Sequence, residues 1–356
     1  MASERARERD RGRSAGDGPA RSVVSNLIWG KMTSSLLSTT LGLGVADVLG
    51  DEARTAADVA ERCGTLPDPT LRLLRALAAL GLLTEEKAGV FRLTPAGALL
   101  RNDNPDGMST LVRIYTDPVL NAAWERLDHS LRTGLPSFDE VFGRDYFTHL
   151  KENPDVSAEF NQAMGQSTRF VAESVPDRYD FSRFRTVVDM GGGDGTLLAG
   201  ILRAVPDLRG VVYDSPEGLA QAPALLEAAG VADRCTLETG DFFTSAPKGG
   251  DLYLLKSILH DWNDSQCAAI LSGIRRVIPD GGRVLVIDPV LADVVDPATV
   301  RLHHYLSDLN MLVNAGGRER TEQDFRALFA GAGFALSAIT PLADPSPLSL
   351  VEAVPA

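Results

Sequence analysis

The sequence predicts two unequal parts: a small helical unit built on a winged helix, then a doubly wound, Rossmann-like α/β sheet. Three observations predict it. From about Thr186, short aliphatic or β-branched runs (VVDM, GVVYD, CTLETGD, LYLLKS, RVLVIDPV) alternate with helical stretches. Buried parallel strands read as near-continuous apolar runs of this kind. The first strand ends in a glycine-rich turn that opens a helix, and 356 residues exceed one ordinary domain. The expected divisions are a solvated tail over 1–20, a helical winged-helix unit over 21–108, a helical connector over 109–180 and a ligand-binding unit over 181–356.

Taken in order, MASERARERDRGRSAGDGPA lacks the apolar stretch of a secretory signal and reads as a frayed, disordered tail. Residues 23–49 are helical in type and apolar nearly all round. Such a helix needs burial on most faces, so it is expected either to meet a second copy of the chain or to pack within its own unit. TAADVAERCG is a helix with Thr55 as N-cap and Gly64 as its stop. DPTLRLLRALAALGLLT is a second helix, and EEKAGVFRLT reads as a two-stranded wing.

A winged helix suits DNA reading by its second helix. Here that helix offers only Arg72 and Arg75 among Leu and Ala, and the net charge of −13 opposes phosphate contacts. No nucleic acid is expected as a partner, and the unit reads as scaffolding or dimerising. The charge also disfavours an anionic membrane surface, and no run is long and apolar enough to span one. Cys63, Cys235 and Cys267 are too few and too scattered for a disulfide framework or a CxxC zinc site. A reducing, cytoplasmic setting fits.

In the connector, Trp124, Phe138, Phe142, Tyr146, Phe147, Phe160 and Met164 are core types. Ligand pockets favour the ground between domains, so a share of them is expected to line a substrate cavity. The chain closes with FALSAITPL and LSLVEAVPA, a hairpin at the sheet edge.

The chemistry gathers at strand ends. The first strand runs into Asp189-Met190-Gly191-Gly192-Gly193-Asp194-Gly195, and Asp214 ends the second, suited to accept from both hydroxyls of a ribose. A dinucleotide would use the same features. Its fingerprint, however, spaces glycines as G-x-G-x-x-G to bring a helix N-terminus to a pyrophosphate. Here the spacing is G-x-G-x-G, and Asp194 would set negative charge beside a phosphate. A positively charged, phosphate-free nucleoside such as S-adenosylmethionine fits better. Asp241 and Phe242, after the third strand, suit an adenine amino group and ring, or else a loop turn with core aromatics.

The fourth strand leads through Lys256 to His260. An unperturbed pKa near 6.5 suits a base at neutrality, and a phenol with a pKa of about 10 needs one. His260 reads equally as a cap of the next helix. Asp288, ending the fifth strand, and Glu319, before a helix that Thr321 can cap, could each orient the imidazole, or be a loop-starting Asx residue and a solvated first-turn charge. No Asp/Asn/Glu cluster suggests a metal, so none is expected.

Together VDMGGGDG, VVYDSPE, GDFF, LKSILHDWND, PDGGRVLVIDPV and GGRERT, in this order, resemble the small-molecule O-methyltransferases, both the plant caffeate and isoflavonoid enzymes and the bacterial tailors of aromatic antibiotics. The resemblance runs over nearly the whole chain. It implies a homodimer and methyl transfer from S-adenosylmethionine to a hydroxyl, phenolic by expectation, by in-line displacement. It also implies that Gly191 and Gly193 line the methionine part, Asp214 the ribose, and Asp241 and Phe242 the adenine. Lys256 would lie against the cofactor, His260 would be the base, and Glu319 would orient it. Asp288 stands where plant members carry Glu, one methylene shorter. Substrate contacts are expected among Trp124, Phe147, Phe160, Met164, His303, Asp308 and Met311. Arg far outnumbers Lys and Ala and Gly abound, a composition associated with GC-rich bacteria and so with specialised metabolism. The competing expectations are a homologue of the same fold that binds the donor but hydroxylates, decarboxylates or runs a pericyclic step, and a DNA-binding regulator.

Overall fold

The computed structural model describes residues 17–104, 107–298, 301–342 and 346–356. It divides into two compact units, one ending at Asp117 and one spanning Pro118–Ala356. The predicted connector is therefore split, with 109–117 in the first unit and the rest in the second.

In the first unit a helix begins at Asp17, so the end of the predicted tail is helical; residues 1–16 lie outside the described ones. Helices Asp17–Ile28, Gly30–Gly42 and Val45–Leu49 lead to β1 (Arg54–Thr55). Thr55 caps helix Ala56–Cys63 by accepting from the Asp58 amide at 3.1 Å, and Gly64 ends it in a left-handed conformation. Helix Pro67–Ala79 then precedes β2 (Leu83–Lys87) and β3 (Val90–Leu93). The expected two-stranded wing is a three-stranded sheet in the order β1-β3-β2, because Arg54 and Thr55 pair antiparallel with Phe91 and Val90. Val45, Leu49, Val59, Leu74, Leu77 and Phe91 form its core. Val23, Val24, Leu27, Ile28, Trp29 and Met32 on the first helices are each more than half exposed in the single chain.

The second unit opens with five helices, the longest Pro154–Ser174. Its sheet comprises β4 (Thr186–Met190), β5 (Arg209–Asp214), β6 (Cys235–Thr239), β7 (Leu252–Lys256), β8 (Arg283–Asp288), β11 (Phe334–Pro341) and β12 (Ser349–Pro355). Two dipeptide strands, β9 (Val290–Leu291) and β10 (Arg320–Thr321), pair separately and in parallel.

The seven strands run β11-β12-β8-β7-β4-β5-β6, with β4 to β8 parallel and the closing hairpin antiparallel. Alternate residues of β4, β7 and β8 face opposite ways, so both faces must be covered. Helices Pro154–Ser174 and Thr196–Ala204 supply one cover, with Val171, Leu198 and Ile201. Helices Asp264–Arg275 and Glu322–Gly331 supply the other, with Ile270, Ile274 and Phe325. Leu254 is fully buried; truncating such a residue to Ala costs roughly 2–5 kcal/mol.

From β4 the chain builds outward through β5 and β6, then returns to the other side of β4 for β7 and β8. Loops leaving β4 and β7 therefore diverge, opening the crevice in which such sheets bind ligands.

Candidate active site

Gly191 follows β4 at φ +71°. A Cβ there would lie 2.4 Å from Ile258 Cδ1 and 3.6 Å from Phe242 Cε1. The positive φ and the Ile258 side chain, which fills the space a Cβ would need, favour glycine at this turn, beside the Phe242 ring. Gly193 also has positive φ. Asp214, at the end of β5, accepts from the Gly193 amide at 2.9 Å and from the Ser215 amide at 2.6 Å. Burial pushes its pKa up while those amides pull it down. Asp241 is exposed and accepts from the Phe243 amide at 2.8 Å, closing an Asx turn. Phe242 meets Phe243 and Trp262 edge-on.

Beneath the glycine turn lies Asp189, which sequence reading passed over as strand. It is 2% exposed, and its Oδ2 has no hydrogen-bond partner. Burial, reinforced by the charge of Asp214, pushes its carboxyl up to about 7. A cation arriving above this turn would draw this acid toward its ionised form and be attracted by it.

Lys256 closes β7. Its Nζ donates to Thr168 Oγ1 at 3.0 Å, and among the described residues it has no carboxylate at ion-pair distance. Burial lowers its pKa, against the pull of Asp288, Asp189 and Asp261. Thr168 lies on helix Pro154–Ser174, so no local spacing pointed to it. Ser257 follows at φ +54°, a conformation rare outside glycine. Its amide donates to Asp288 Oδ1 at 2.8 Å and to the Ile287 carbonyl at 3.1 Å.

His260 sits in the single 3-10 turn Leu259–Asp261. Its Nδ1 is 3.0 Å from Glu319 Oε1, and its Nε2 is 3.6 Å from Asp261 Oδ1. An ionised carboxylate only accepts, so Nδ1 carries its hydrogen toward Glu319 and Nε2 is left to act. Burial works to lower the histidine's pKa, but Glu319 and Asp261 outweigh it and raise it to about 10. Among the described residues, His260 reaches ion-pair distance only with Glu319 and Asp261. Asp288 makes no hydrogen bond to the ring, since its Oδ1 is taken by Ser257 and its Oδ2 is buried without a partner, but its charge still works to raise the histidine's pKa. Asp261 was missed, although its adjacency to His260 was there to read.

The segment before helix Glu322–Gly331 locks this turn from behind. Arg320 is 1% exposed and donates to the Leu259 carbonyl at 2.7 Å, the Trp262 carbonyl at 2.9 Å and Asp264 at 2.8 Å. The Arg318 amide donates to the His260 carbonyl at 2.9 Å. Gly317 packs so closely that a Cβ would stand 2.0 Å from the His260 carbonyl oxygen. Cys267 donates its thiol hydrogen to the Leu259 carbonyl at 3.1 Å, and burial pushes that thiol up to about 12.

Of the remaining predicted contacts, Phe147 stacks on Trp262 with ring centres 4.9 Å apart, which brings it to the histidine turn. Asp308 accepts from the Glu319 amide at 2.9 Å. Trp124 donates to Asn310 Oδ1 at 2.8 Å, on the same helix as the half-buried Met311. Phe160 meets Tyr146 edge-on, and the carbonyl of Met164 accepts from Thr168. His303 is exposed and packs against His304.

Residues 124–335 match the model of the O-methyltransferase domain, and residues 25–103 that of the O-methyltransferase dimerisation domain. The chain belongs to the O-methyltransferase family. It is 49% identical to the O-demethylpuromycin-O-methyltransferase of Streptomyces alboniger over 94% of this chain and 89% of that one. The solved mitomycin 7-O-methyltransferase is 35% identical, with a TM-score of 0.88 over 96% of this chain and all of that one. An O-methyltransferase from neocarzinostatin biosynthesis, solved with S-adenosyl-L-homocysteine and 1,4-dihydroxy-2-naphthoic acid, is 33% identical, with a TM-score of 0.76 over 91% and 96% of the two chains. The enzyme is thus an S-adenosylmethionine-dependent O-methyltransferase. The bare turn at Gly191 and the unpartnered acid below it fit a cationic donor better than a phosphorylated one.

Proposed function

We propose that this O-methyltransferase acts on a phenolic hydroxyl of a small aromatic specialised metabolite, with His260 as general base. One observation carries the reading: the Glu319 carboxylate engages Nδ1 at 3.0 Å, which leaves Nε2, 3.6 Å from Asp261 Oδ1, as the nitrogen available to accept a proton. S-adenosylmethionine supplies an electrophilic methyl on a sulfonium, and its positive charge opposes that of an imidazolium. Gly191 and Gly193 would border its methionine part, Asp214 its ribose, Asp241 and Phe242 its adenine, and Lys256 would lie against it.

The proton chemistry follows from matched affinities. A histidine raised to about 10 and a phenol at about 10 exchange a proton at little cost. The resting imidazole is therefore largely protonated at neutrality and must shed that proton before it can accept another. Once it has, the acceptor hydroxyl gives its hydrogen to Nε2, and Glu319 with Asp261 steadies the resulting imidazolium. Holding oxygen and methyl in line supplies much of the acceleration, and the base adds about 10²–10⁴-fold.

Aromatic acceptors are supported by the names of the relatives above, and Trp124, Phe147, Phe160, Met164, His303, Asp308 and Met311 remain the candidate substrate contacts. The exposed apolar residues at 23–32 and the match to a dimerisation domain support a homodimer.

The test is methyl transfer to a panel of phenols by wild type and His260→Ala, alongside calorimetric titration of the donor into both. Equal donor binding, with transfer reduced at least a hundredfold in the variant and rising with pH above 7 in wild type, is expected. A variant that turns over at the wild-type rate removes the base from the mechanism.

A further inference from the structure

Helix Leu302–Asn314 carries two polar residues whose bonds end on Glu319 rather than on anything a ligand would occupy. Ser307 Oγ donates to Glu319 Oε1 at 2.8 Å, the oxygen that also accepts from His260 Nδ1 at 3.0 Å. Asp308, one residue on, accepts from the Glu319 amide at 2.9 Å. The glutamate is thereby fixed twice, at its backbone and at its carboxylate. Its other oxygen, Oε2, is buried with no partner. The whole hydrogen-bonding capacity of that side chain is thus concentrated on one atom shared by a serine and a histidine.

We infer that Ser307 and Asp308 are positioning residues for the Glu319–His260 pair, and that the Ser307 hydroxyl sets the strength of that pair by sharing its acceptor oxygen. The inference rests on His260 being the base. A carboxylate oxygen that accepts from two donors gives each less charge than it would give one alone. Ser307 therefore draws negative charge away from the imidazole and keeps its proton exchangeable. Asp308 works through the backbone: by holding the Glu319 amide it fixes where the glutamate's Cα sits, and so the point from which its side chain reaches the ring.

The charged groups facing the pair are Asp261 on the histidine's own turn, Asp288 at the end of β8, Lys256 at the end of β7, and Arg318 and Arg320 beside Asp308. His304, one turn before Asp308, also feels the Glu319 charge. None of these is altered by replacing Ser307, so the change reads the shared oxygen alone.

The experiment is the pH profile of kcat/KM for wild type, Ser307→Ala, Ser307→Thr, Asp308→Ala, Asp308→Asn and His260→Ala, with donor affinity measured in each. In Ser307→Ala the glutamate serves the histidine alone, so the acid limb is expected to move to higher pH by roughly half a unit to one unit, with a several-fold lower rate at pH 7. Ser307→Thr keeps the hydroxyl and is expected to restore the wild-type limb. Asp308→Ala is expected to lower kcat about tenfold with KM and the donor's Kd unchanged, and Asp308→Asn, which keeps an acceptor oxygen, to recover most of it. Superimposable profiles for Ser307→Ala and wild type overturn the inference, as does an Asp308→Ala effect confined to KM, which would make Asp308 a substrate contact. If His260→Ala itself retains activity and the pH limb, the failure lies with the base assignment instead.

Discussion

The two sides of the β4/β7 crevice are built by opposite means. On the β4 side, carboxylates are held by backbone amides of the strand-end loops: Asp214 by the Gly193 and Ser215 amides, Asp241 by that of Phe243. Asp189 is left buried and unanswered. On the β7 side, side chains are held by side chains and carbonyls from distant segments, as Glu319 holds His260 and Arg320 holds the carbonyls on either side of it. The first arrangement keeps a surplus of negative charge in reserve for a cation. The second balances its charges internally and fixes one ring nitrogen in space. On the function proposed above, the first is the donor side, suited to binding, and the second the base side, suited to geometry.

That contrast is most easily broken at Gly317. Replacing it with Ala forces a methyl against the His260 carbonyl, and a displacement of about 1 Å at a reacting group can cost about a hundredfold in rate. Gly317→Ala is expected to lose that much in kcat while calorimetry finds donor affinity within about threefold of wild type. Equal losses in both would mean that the two sides are one mechanical unit.

A smaller effect of opposite kind is expected from Lys256→Met. Removing the buried ammonium should weaken donor binding about tenfold, the worth of one hydrogen bond to a charged group, with kcat held within a few-fold. A fall in kcat without a fall in affinity would assign Lys256 to the base side.

How much of this was legible depended on the distance between partners in sequence. The strands, the glycine turn and Asp214 were readable because each motif is local: a strand, the turn that ends it, the helix that follows. The Thr55 and Thr321 caps were readable for the same reason. Glu319 pairs with His260 across 59 positions and Thr168 with Lys256 across 88, and no periodicity encodes such a meeting. Glu319 was read from its place before the Thr321-capped helix and from the GGRERT motif; Thr168, which had no motif, was not found. Asp288 was read as able to orient the imidazole or as a loop-starting Asx residue, and the Ser257 amide that occupies its Oδ1 carried no signal in the sequence. Asp189 was hidden by its strand, whose burial pattern predicts apolar residues.

A further effect sharpens the comparison through stability. Asp189 titrates near 7 in the fold and about 3.9 when unfolded. Its contribution is therefore complete below pH 4 and is lost as pH rises through 7. Denaturant titrations of the unliganded enzyme between pH 4.5 and 7 should show this loss as a falling unfolding free energy, and Asp189→Asn should flatten the slope. An unchanged slope would mean that the donor side holds no reserve of charge.

The Cys267 thiol carries a consequence for self-protection. Its sulfur lies one hydrogen bond from the Leu259 carbonyl, beside the turn that bears His260. In a protein that handles an electrophilic methyl group, a thiolate there would be the strongest nucleophile in the neighbourhood and would alkylate in place of the acceptor. Held as a neutral thiol up to a pH of about 12, it is chemically silent. Burial of one sulfur thus keeps a reactive thiolate out of the turn that bears His260.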